Sequence, residues 1–189
     1  MIKIENLSKK YGENKVFEND NFFIEENRMT AIMGKSGRGK TTLLRIILGL
    51  EKYEGNIQGI EKKKIVAVFQ EDRLCENLSA ITNVSIVCGK NIDKRTIKEE
   101  LESIGLSGSV EKPVKELSGG MKRRVAIVRS IMADSDIVVF DEPFKGLDTE
   151  TKKRVIAYIK KKLANKTSII VTHNIDEALA LNSKIINMK

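Results

Sequence analysis

The chain has 189 residues, 41% of them hydrophobic, which suits one compact domain and excludes a disordered or fibrous protein. Its apolar runs are far too short to cross a bilayer, and no apolar signal peptide precedes them, so we expect a cytoplasmic protein. The net charge of +8 is spread over short separate groups, such as residues 62–64 and 122–124, that are typical of solvated faces and argue against a nucleic-acid partner. Cys75 and Cys88 show no CxxC spacing, so neither a disulfide framework nor a zinc site is expected.

Strands dominate the prediction for the first third of the chain. The opening IKIE alternates apolar and polar residues, a second strand is expected at 16–24, and MTAIM forms a third. The pattern then changes to a helix, because apolar residues recur at helical spacing in TTLLRIIL. A further strand, IVAVF, comes directly before Gln70.

Residues 71–116 predict a mostly helical lobe inserted between two strands. Thr96 and Glu99 have the spacing of a capping box, and Gly105 stands where a helix would end. An apolar stripe at helical spacing runs between them, formed by Ile97, Leu101 and Ile104. We therefore expect a single domain over 1–189, with 1–70 and 117–189 as its core and the lobe as a subdomain.

From Ser118 onward helices and strands alternate: a helix, the strand IVVF, a helix, the strand SIIVT, a short helix near Ala178 and a last strand, KIINM. Such alternation is typical of a parallel sheet covered by helices. The expected fold class is α/β, with a parallel sheet core, an antiparallel β segment at the N-terminus and the inserted helical lobe.

The residues GKSGRGKT fit a phosphate-binding loop pattern. Their context also agrees with it, because a strand precedes the loop and a helix follows it. Its glycines let backbone N–H groups face phosphate oxygens at the positive end of the helix dipole. Lys40 supplies charge to the outer phosphates, the Thr41 hydroxyl can bind Mg²⁺, and Thr42 is placed for the inner phosphates. A glycine turn that only caps the helix is the alternative. The candidate nucleotide-binding residues here are Gly34, Lys35, Ser36, Gly37, Arg38, Gly39, Lys40, Thr41 and Thr42.

Two carboxylates, Asp141 and Glu142, follow the apolar strand IVVF. The carboxyl ends of parallel strands are where open α/β sheets bind ligands. Asp141 is suited to hold Mg²⁺, and Glu142 to polarise the water that attacks a γ-phosphate. An acidic pair in this position also occurs as a helix cap or turn, which remains the alternative.

A second anion cradle is predicted at Ser118, Gly119 and Gly120, where a hydroxyl and two glycines open a helix. An ordinary N-cap is the alternative. The run LSGGM, upstream of Asp141 and Glu142, resembles the signature of ABC-transporter ATPases, and the resemblance extends over the whole chain through six ordered motifs. It implies ATP and Mg²⁺ as cofactors, bound in a head-to-tail dimer between the Lys40 loop of one protomer and the Ser118 loop of the other.

Four further roles are implied by the same resemblance. Gln70 resembles the family's lid glutamine, which reaches Mg²⁺ or the attacking water, although a lone glutamine after a strand is usually a surface residue. Asp148 resembles the aspartate that crosses the dimer interface, or it caps the next helix. His173 resembles the histidine that contacts the γ-phosphate beside Glu142; the alternative is a purely structural histidine. Tyr11 resembles the aromatic residue that stacks on adenine; the alternative is a core tyrosine.

The chain departs from the family pattern at a few positions. Met121 stands where the signature usually has Gln, so nucleotide contact at that position is not expected. The combination of LSGGM and FQEDRL is similar to the ATPases of nitrate, sulfonate and taurine-type importers. Before the phosphate-loop strand, ENR replaces the usual glycine, which affects a turn and not the chemistry.

The resemblance implies an ATPase subunit that hydrolyses ATP to ADP and phosphate and drives a separate ABC permease. It implies a homodimer or a pair with another ABC ATPase, held at the inner face of the cell membrane through the permease, with the lobe near Gln70 as docking surface. One alternative is a soluble ABC-type ATPase acting on nucleic acid or ribosomes. Another is a small-molecule kinase, which would explain Lys40 and Asp141 but not Ser118 or His173.

Overall fold

A computed structural model describes residues 1–89 and 92–188, which form two sheets and a set of helices. The strands are β1 (Ile2–Tyr11), β2 (Asn14–Ile24), β3 (Met29–Met33), β4 (Glu54–Gln58), β5 (Ile65–Val68), β6 (Ile137–Asp141), β7 (Thr167–Val171) and β8 (Lys184–Asn187). The helices are α1 (Lys40–Ile47), α2 (Ala80–Ser85), α3 (Lys94–Ser103), α4 (Gly119–Met132), α5 (Thr149–Lys162) and α6 (Ile175–Ala180), with a 3₁₀ turn at Val114–Glu116. No helix within the described ranges is long and apolar enough to span a bilayer.

The larger sheet is parallel, with the strand order β5-β6-β7-β3-β8. Every residue of β3, β6 and β7 is buried, which explains why apolar residues dominate their sequences. Alternate side chains of β6 enter opposite cores: Val139 packs with the antiparallel sheet and α1, whereas Val138 and Phe140 pack under α4, α5 and α6. The predicted α/β class with a parallel core is confirmed.

The smaller sheet is antiparallel, with the order β2-β1-β4. Its register shifts along β1, where Asn6 adopts a positive φ of 52°, and Asn19 of β2 adopts 55°. Strand β4 is absent from the sequence prediction because Ile57 is its one buried residue and its sequence, EGNIQ, carries little apolar signal. The turn without glycine before β3 is made by Asn27, which takes a φ of 54°.

The helices between β5 and β6 pack around an apolar cluster of their own. The predicted stripe is buried completely, since Ile97, Leu101 and Ile104 are each 0% exposed. The predicted capping box is wrong: helix α3 starts earlier, and Asp93 is its cap, accepting a hydrogen bond from the Thr96 N–H at 2.7 Å. Gly105, with a φ of +83°, follows the helix end as expected.

Residues 122–124 are not the solvated face that their charge suggests. Arg123 is 5% exposed, and Lys122 and Arg124 are partly buried along α4. The Arg124 guanidinium donates hydrogen bonds to the carbonyls of Ile104 and Gly105, at 3.0 and 2.8 Å, where the chain leaves α3. The basic group therefore connects α4 to neighbouring backbone.

Candidate nucleotide site

Four neighbouring strands deliver the candidate residues to one edge of the parallel sheet. Gln70 follows β5, Asp141 ends β6, His173 follows β7, and the phosphate loop follows β3. An open cleft of about 310 Å³ lies at this edge. Its lining comprises Tyr11, Asn14, Val16, Ser36, Gly37, Gly39, Lys40, Thr41, Thr42, Gln70, Glu142 and Val171.

The phosphate loop wraps around the ammonium group of Lys40. This side chain is buried, and its Nζ donates to the carbonyl oxygens of Gly34 and Lys35, each at 2.8 Å. Gly39 precedes α1 with a φ of +91°, and a Cβ there would lie 2.4 Å from Cγ1 of Val16, so the position favours glycine. The backbone therefore comes close to the first hairpin while the lysine charge stays fixed inside the loop.

The loop residues do not all face the cleft. Ser36, Gly37 and Gly39 line it together with Thr42. Arg38 instead borders a separate groove of about 200 Å³ beside β2 and β8. These placements divide the predicted set into a cleft-facing group and an outward-facing arginine.

Thr41 and Asp141 meet at the base of the cleft. The Thr41 hydroxyl donates to Oδ2 of Asp141 at 2.9 Å. Asp141 is 3% exposed, and its Oδ1 is buried without a hydrogen-bond partner in the described chain. Burial raises the pKa of Asp141, and the charge of Glu142 adds to this; the hydrogen bond from Thr41, the nearby Gln70 amide and the charge of Lys40 oppose it. A hydroxyl and a carboxylate with an unpartnered oxygen are donors that fit Mg²⁺.

Glu142 and His173 stand side by side at the ends of β6 and β7. Glu142 takes a φ of 48°, and its N–H donates to the carbonyl of Val171 at 3.0 Å, which anchors this unusual backbone. Nδ1 of His173 is 3.4 Å from Oε1 of Glu142. The His173 side chain is 72% exposed, so it is not buried in the core.

Sequence reasoning did not identify Glu177, which supports the segment around His173. Glu177 is buried; it accepts a hydrogen bond from the Thr172 hydroxyl at 2.5 Å and pairs with Nζ of Lys152 at 2.7 Å. These bonds join α5, α6 and the end of β7. The only sequence signal was an acidic residue on a short helix, which usually indicates a solvated position.

Tyr11 ends β1 at the mouth of the cleft and is 46% exposed, so the alternative of a core tyrosine is wrong. The ammonium group of Lys9 lies 4.6 Å from the centre of its ring and pairs with Glu51 at 3.0 Å. Asn14 faces Tyr11 across the hairpin and also lines the cleft, which sequence reasoning missed because neither residue type nor spacing marked it.

Ser118 and Asp148 lie apart from the cleft of their own chain, since neither lines it. Oγ of Ser118 accepts from the N–H of Met121 at 3.3 Å and caps α4. Oδ1 of Asp148 accepts from the N–H of Thr151 at 2.9 Å and caps α5, the alternative foreseen for this residue. Gly120 packs near the Asp148 loop, because a Cβ there would meet Leu147 at 3.4 Å, so the two capped helix starts are neighbours.

Relatives of known sequence resemble the chain over nearly its full length. Residues 17–145 match the ABC transporter family. The chain is 38% identical over 193 residues to an aliphatic sulfonates import ATP-binding protein of Bacillus cereus, a match covering 96% of this chain and 77% of that protein. It is 34% identical over 204 residues to an intermembrane phospholipid transport system ATP-binding protein of Haemophilus influenzae, again covering 96% and 77%.

Two solved structures share the fold. A dimeric structure of a bacterial ABC transporter cassette superimposes with a TM-score of 0.84 at 31% identity and covers 100% of this chain and 94% of that chain. A dimeric post-hydrolysis state of the cassette, bound to ADP and phosphate, superimposes with a TM-score of 0.85 at the same identity and coverage. The agreement in sequence and in fold, together with the phosphate loop and its cleft, shows that the chain belongs to the ABC transporter family, as an ATP-binding and ATP-hydrolysing subunit.

Proposed function

We propose that this chain works as one of a pair of Mg²⁺-dependent ATPase subunits that energise a separate permease. The observation that carries the proposal is the separation, within one chain, of the phosphate-loop cleft from the anion cradle at Ser118. Because Ser118 does not line the cleft of its own chain, its helix start does not serve a nucleotide bound there, whereas a partner protomer can bring its Ser118 loop to the cleft. The dimeric cassettes that share the fold support this arrangement.

In the proposed ATP site, the backbone N–H groups of residues 35–39 and the N-terminus of α1 bind the phosphates. Lys40 neutralises the charge of the outer phosphates. Thr41, Asp141 and Gln70 hold Mg²⁺, and the unpartnered Oδ1 of Asp141 gives this its structural support. When bound, Mg²⁺ neutralises charge that develops on the phosphate oxygens.

Hydrolysis is assigned to the pair at the ends of β6 and β7. Oε1 of Glu142 orients the attacking water and accepts its proton, because Glu142 lines the cleft beside Lys40 and Gln70. His173 lies within 3.4 Å of the same oxygen and contacts the γ-phosphate. The bond from Glu142 N to Val171 keeps the carboxylate at this edge during the reaction.

Further residues contact the adenine ring and the γ-phosphate in this proposal. Tyr11 stacks on adenine at the cleft mouth with Lys9 beneath its ring. Ser118, with the N–H groups of Gly119 and Gly120, binds the γ-phosphate held by the partner protomer, and Asp148 lies at the same interface. Met121 packs against the helical cluster instead of contacting nucleotide.

Docking of the permease is assigned to the subdomain formed by residues 71–116. This region exposes Leu78, Ile86 and Val87, which are 38%, 61% and 37% exposed, and it follows Gln70 in the chain. Location at the membrane would follow from that contact. Import of small oxyanions of the sulfonate type is proposed from the names of the relatives. Their transport roles do not favour the nucleic-acid alternative, and family membership removes the kinase alternative.

The test is ATP hydrolysis against protein concentration, combined with sedimentation of the Glu142→Gln variant with and without MgATP. Loss of the general base should slow hydrolysis by about 10²–10⁴-fold, while ATP binding and ATP-dependent dimers persist. Adding Ser118→Arg to Glu142→Gln should abolish those dimers and leave ATP binding intact. Turnover near wild type in Glu142→Gln removes its assigned role, and dimers that survive Ser118→Arg contradict the composite site.

A further inference from the structure

Helix α4 binds the segment that carries Gln70 through a buried arginine. Arg123 is 5% exposed, and its guanidinium donates to the carbonyl of Phe69 at 2.5 Å and to the carbonyl of Gln70 at 2.7 Å. The same group pairs with Oδ1 of Asp72 at 3.1 Å. All three partners belong to the residues that follow β5.

Burial makes these bonds restrictive. A guanidinium that has lost its water must keep its donors paired, so Arg123 fixes the carbonyls of Phe69 and Gln70 relative to α4. The side chain of Gln70 lines the cleft, and its nearby amide lowers the pKa of the Asp141 carboxyl. Gln70 is thus held through its backbone by α4, while its side chain lies in the cleft that Thr41 also lines.

We propose that Arg123 is a positioning residue for Gln70. Through it, the position of helix α4 determines where the Gln70 side chain lies relative to the proposed metal site at Asp141. This inference rests on the proposed Mg²⁺ site. Ser118, the cap of α4, lies five residues before Arg123 on the same helix. Engagement of Ser118 by the partner's nucleotide therefore acts on the helix that holds Gln70 in place.

A second arginine of α4 supplies the matched comparison. Arg129 donates to the carbonyls of Asp72 and Arg73, at 3.1 and 2.9 Å, and does not bond Gln70. Burial lowers the pKa of Arg129, a sign that its guanidinium is also desolvated. Loss of either arginine should destabilise the loop, but only loss of Arg123 releases the Gln70 backbone.

The experiment compares Arg123→Met with Arg129→Met in the full chain. The readout is the Kd of a fluorescent ATP analogue in EDTA divided by its Kd in MgCl₂, a ratio that reports on the metal site and cancels general damage to the nucleotide pocket. Arg123→Met should reduce this ratio about tenfold, because residues that orient metal ligands affect metal affinity by roughly 10–100-fold. Arg129→Met should lower Tm and keep the wild-type ratio.

Arg123→Lys keeps the charge opposite Asp72 but offers one ammonium group to two carbonyls, so its ratio should be intermediate. This variant carries the test if Arg123→Met does not fold. A wild-type ratio in both Arg123 variants overturns the inference, as does an equal fall in Arg129→Met. A ratio of 1 in the wild-type protein instead overturns the Mg²⁺ site itself, which separates the two failures.

Discussion

Replacement of Asp141 by Asn should stabilise the protein in the absence of metal and nucleotide. Asp141 is 3% exposed and its Oδ1 has no hydrogen-bond partner in the described chain, so the fold buries a charge that it does not fully compensate. A buried unsatisfied polar group costs roughly 1–3 kcal/mol. We expect a gain near the lower end, about 1 kcal/mol, because the Asn amide also lacks a partner there and because Lys40 loses a favourable charge. For a chain of this length, that gain raises Tm by about 2–4 °C.

The gain should depend on pH in a defined direction. Burial raises the pKa of Asp141 in the fold above its ordinary value of 3.8, so its protonated form is the one that the fold favours. The corresponding stability is fully present below the ordinary pKa and is lost as pH rises through the raised folded pKa. Asp141→Asn should therefore match wild type in acid and exceed it at neutral pH, measured by thermal unfolding in EDTA between about pH 2.5 and 8.

Asp134→Asn should change stability at neutral pH in the opposite direction from Asp141→Asn. The exposed Asp134 pairs with Lys64, whose hydrogen bond lowers the pKa of that carboxyl, so its stability is present above the ordinary pKa and is lost as pH falls. This variant should be the less stable one at neutral pH and should approach wild type in acid. An Asp141→Asn protein that is less stable than wild type at pH 7.5, or a gain that does not vary with pH, refutes the reasoning.

Two further substitutions test the walls of the cleft. Tyr11→Ala should raise the Kd for ATP about tenfold, measured by calorimetry, because stacking on a base contributes roughly 1–3 kcal/mol. Tyr53 lies outside the cleft lining, so Tyr53→Ala should leave the Kd unchanged, and equal effects of the two substitutions would contradict the stacking role. Gly39→Ala should lower Tm more than Gly37→Ala. Gly39 and Gly37 have φ values of 91° and 81°, so a side chain at either position costs about 1–2 kcal/mol in backbone strain. Only at Gly39 would the added Cβ also collide with Val16. Equal losses of Tm would show that the collision is relieved.

Much of the cleft could be predicted because its chemistry is local in sequence. Fully buried strands of five residues are recognised from the apolar residues that dominate them, and polar residues at or after the ends of β6 and β7 mark the carboxyl edge of the sheet. Asp141 and His173 are examples: each comes at or just after the end of a buried strand. The role of His173 needed a resemblance, but the meeting of both residues at one edge needed only the parallel topology.

The supporting contacts could not be predicted because they join residues distant in sequence. Arg123 and Glu177 are charged residues on helices, and nothing local distinguishes them from solvated ones. The bond from Arg123 to Gln70 spans 53 positions, and the bond from Glu177 to Lys152 spans 25. At Asp93 the failure was different: two caps were available one turn apart, and the earlier one was formed.

The capping roles of Ser118 and Asp148 do not compete with roles at a dimer interface. Oγ of Ser118 accepts a hydrogen bond from the N–H of Met121, which leaves the hydroxyl proton available to donate to a phosphate oxygen. Asp148 uses Oδ1 to cap α5, so Oδ2 can accept a bond from a partner protomer. Capping also fixes each side chain at a helix start, which lowers the entropy lost when a partner engages it. A cap and the proposed intermolecular contact are therefore compatible in each side chain, because the cap leaves a donor on Ser118 and an acceptor on Asp148 unused.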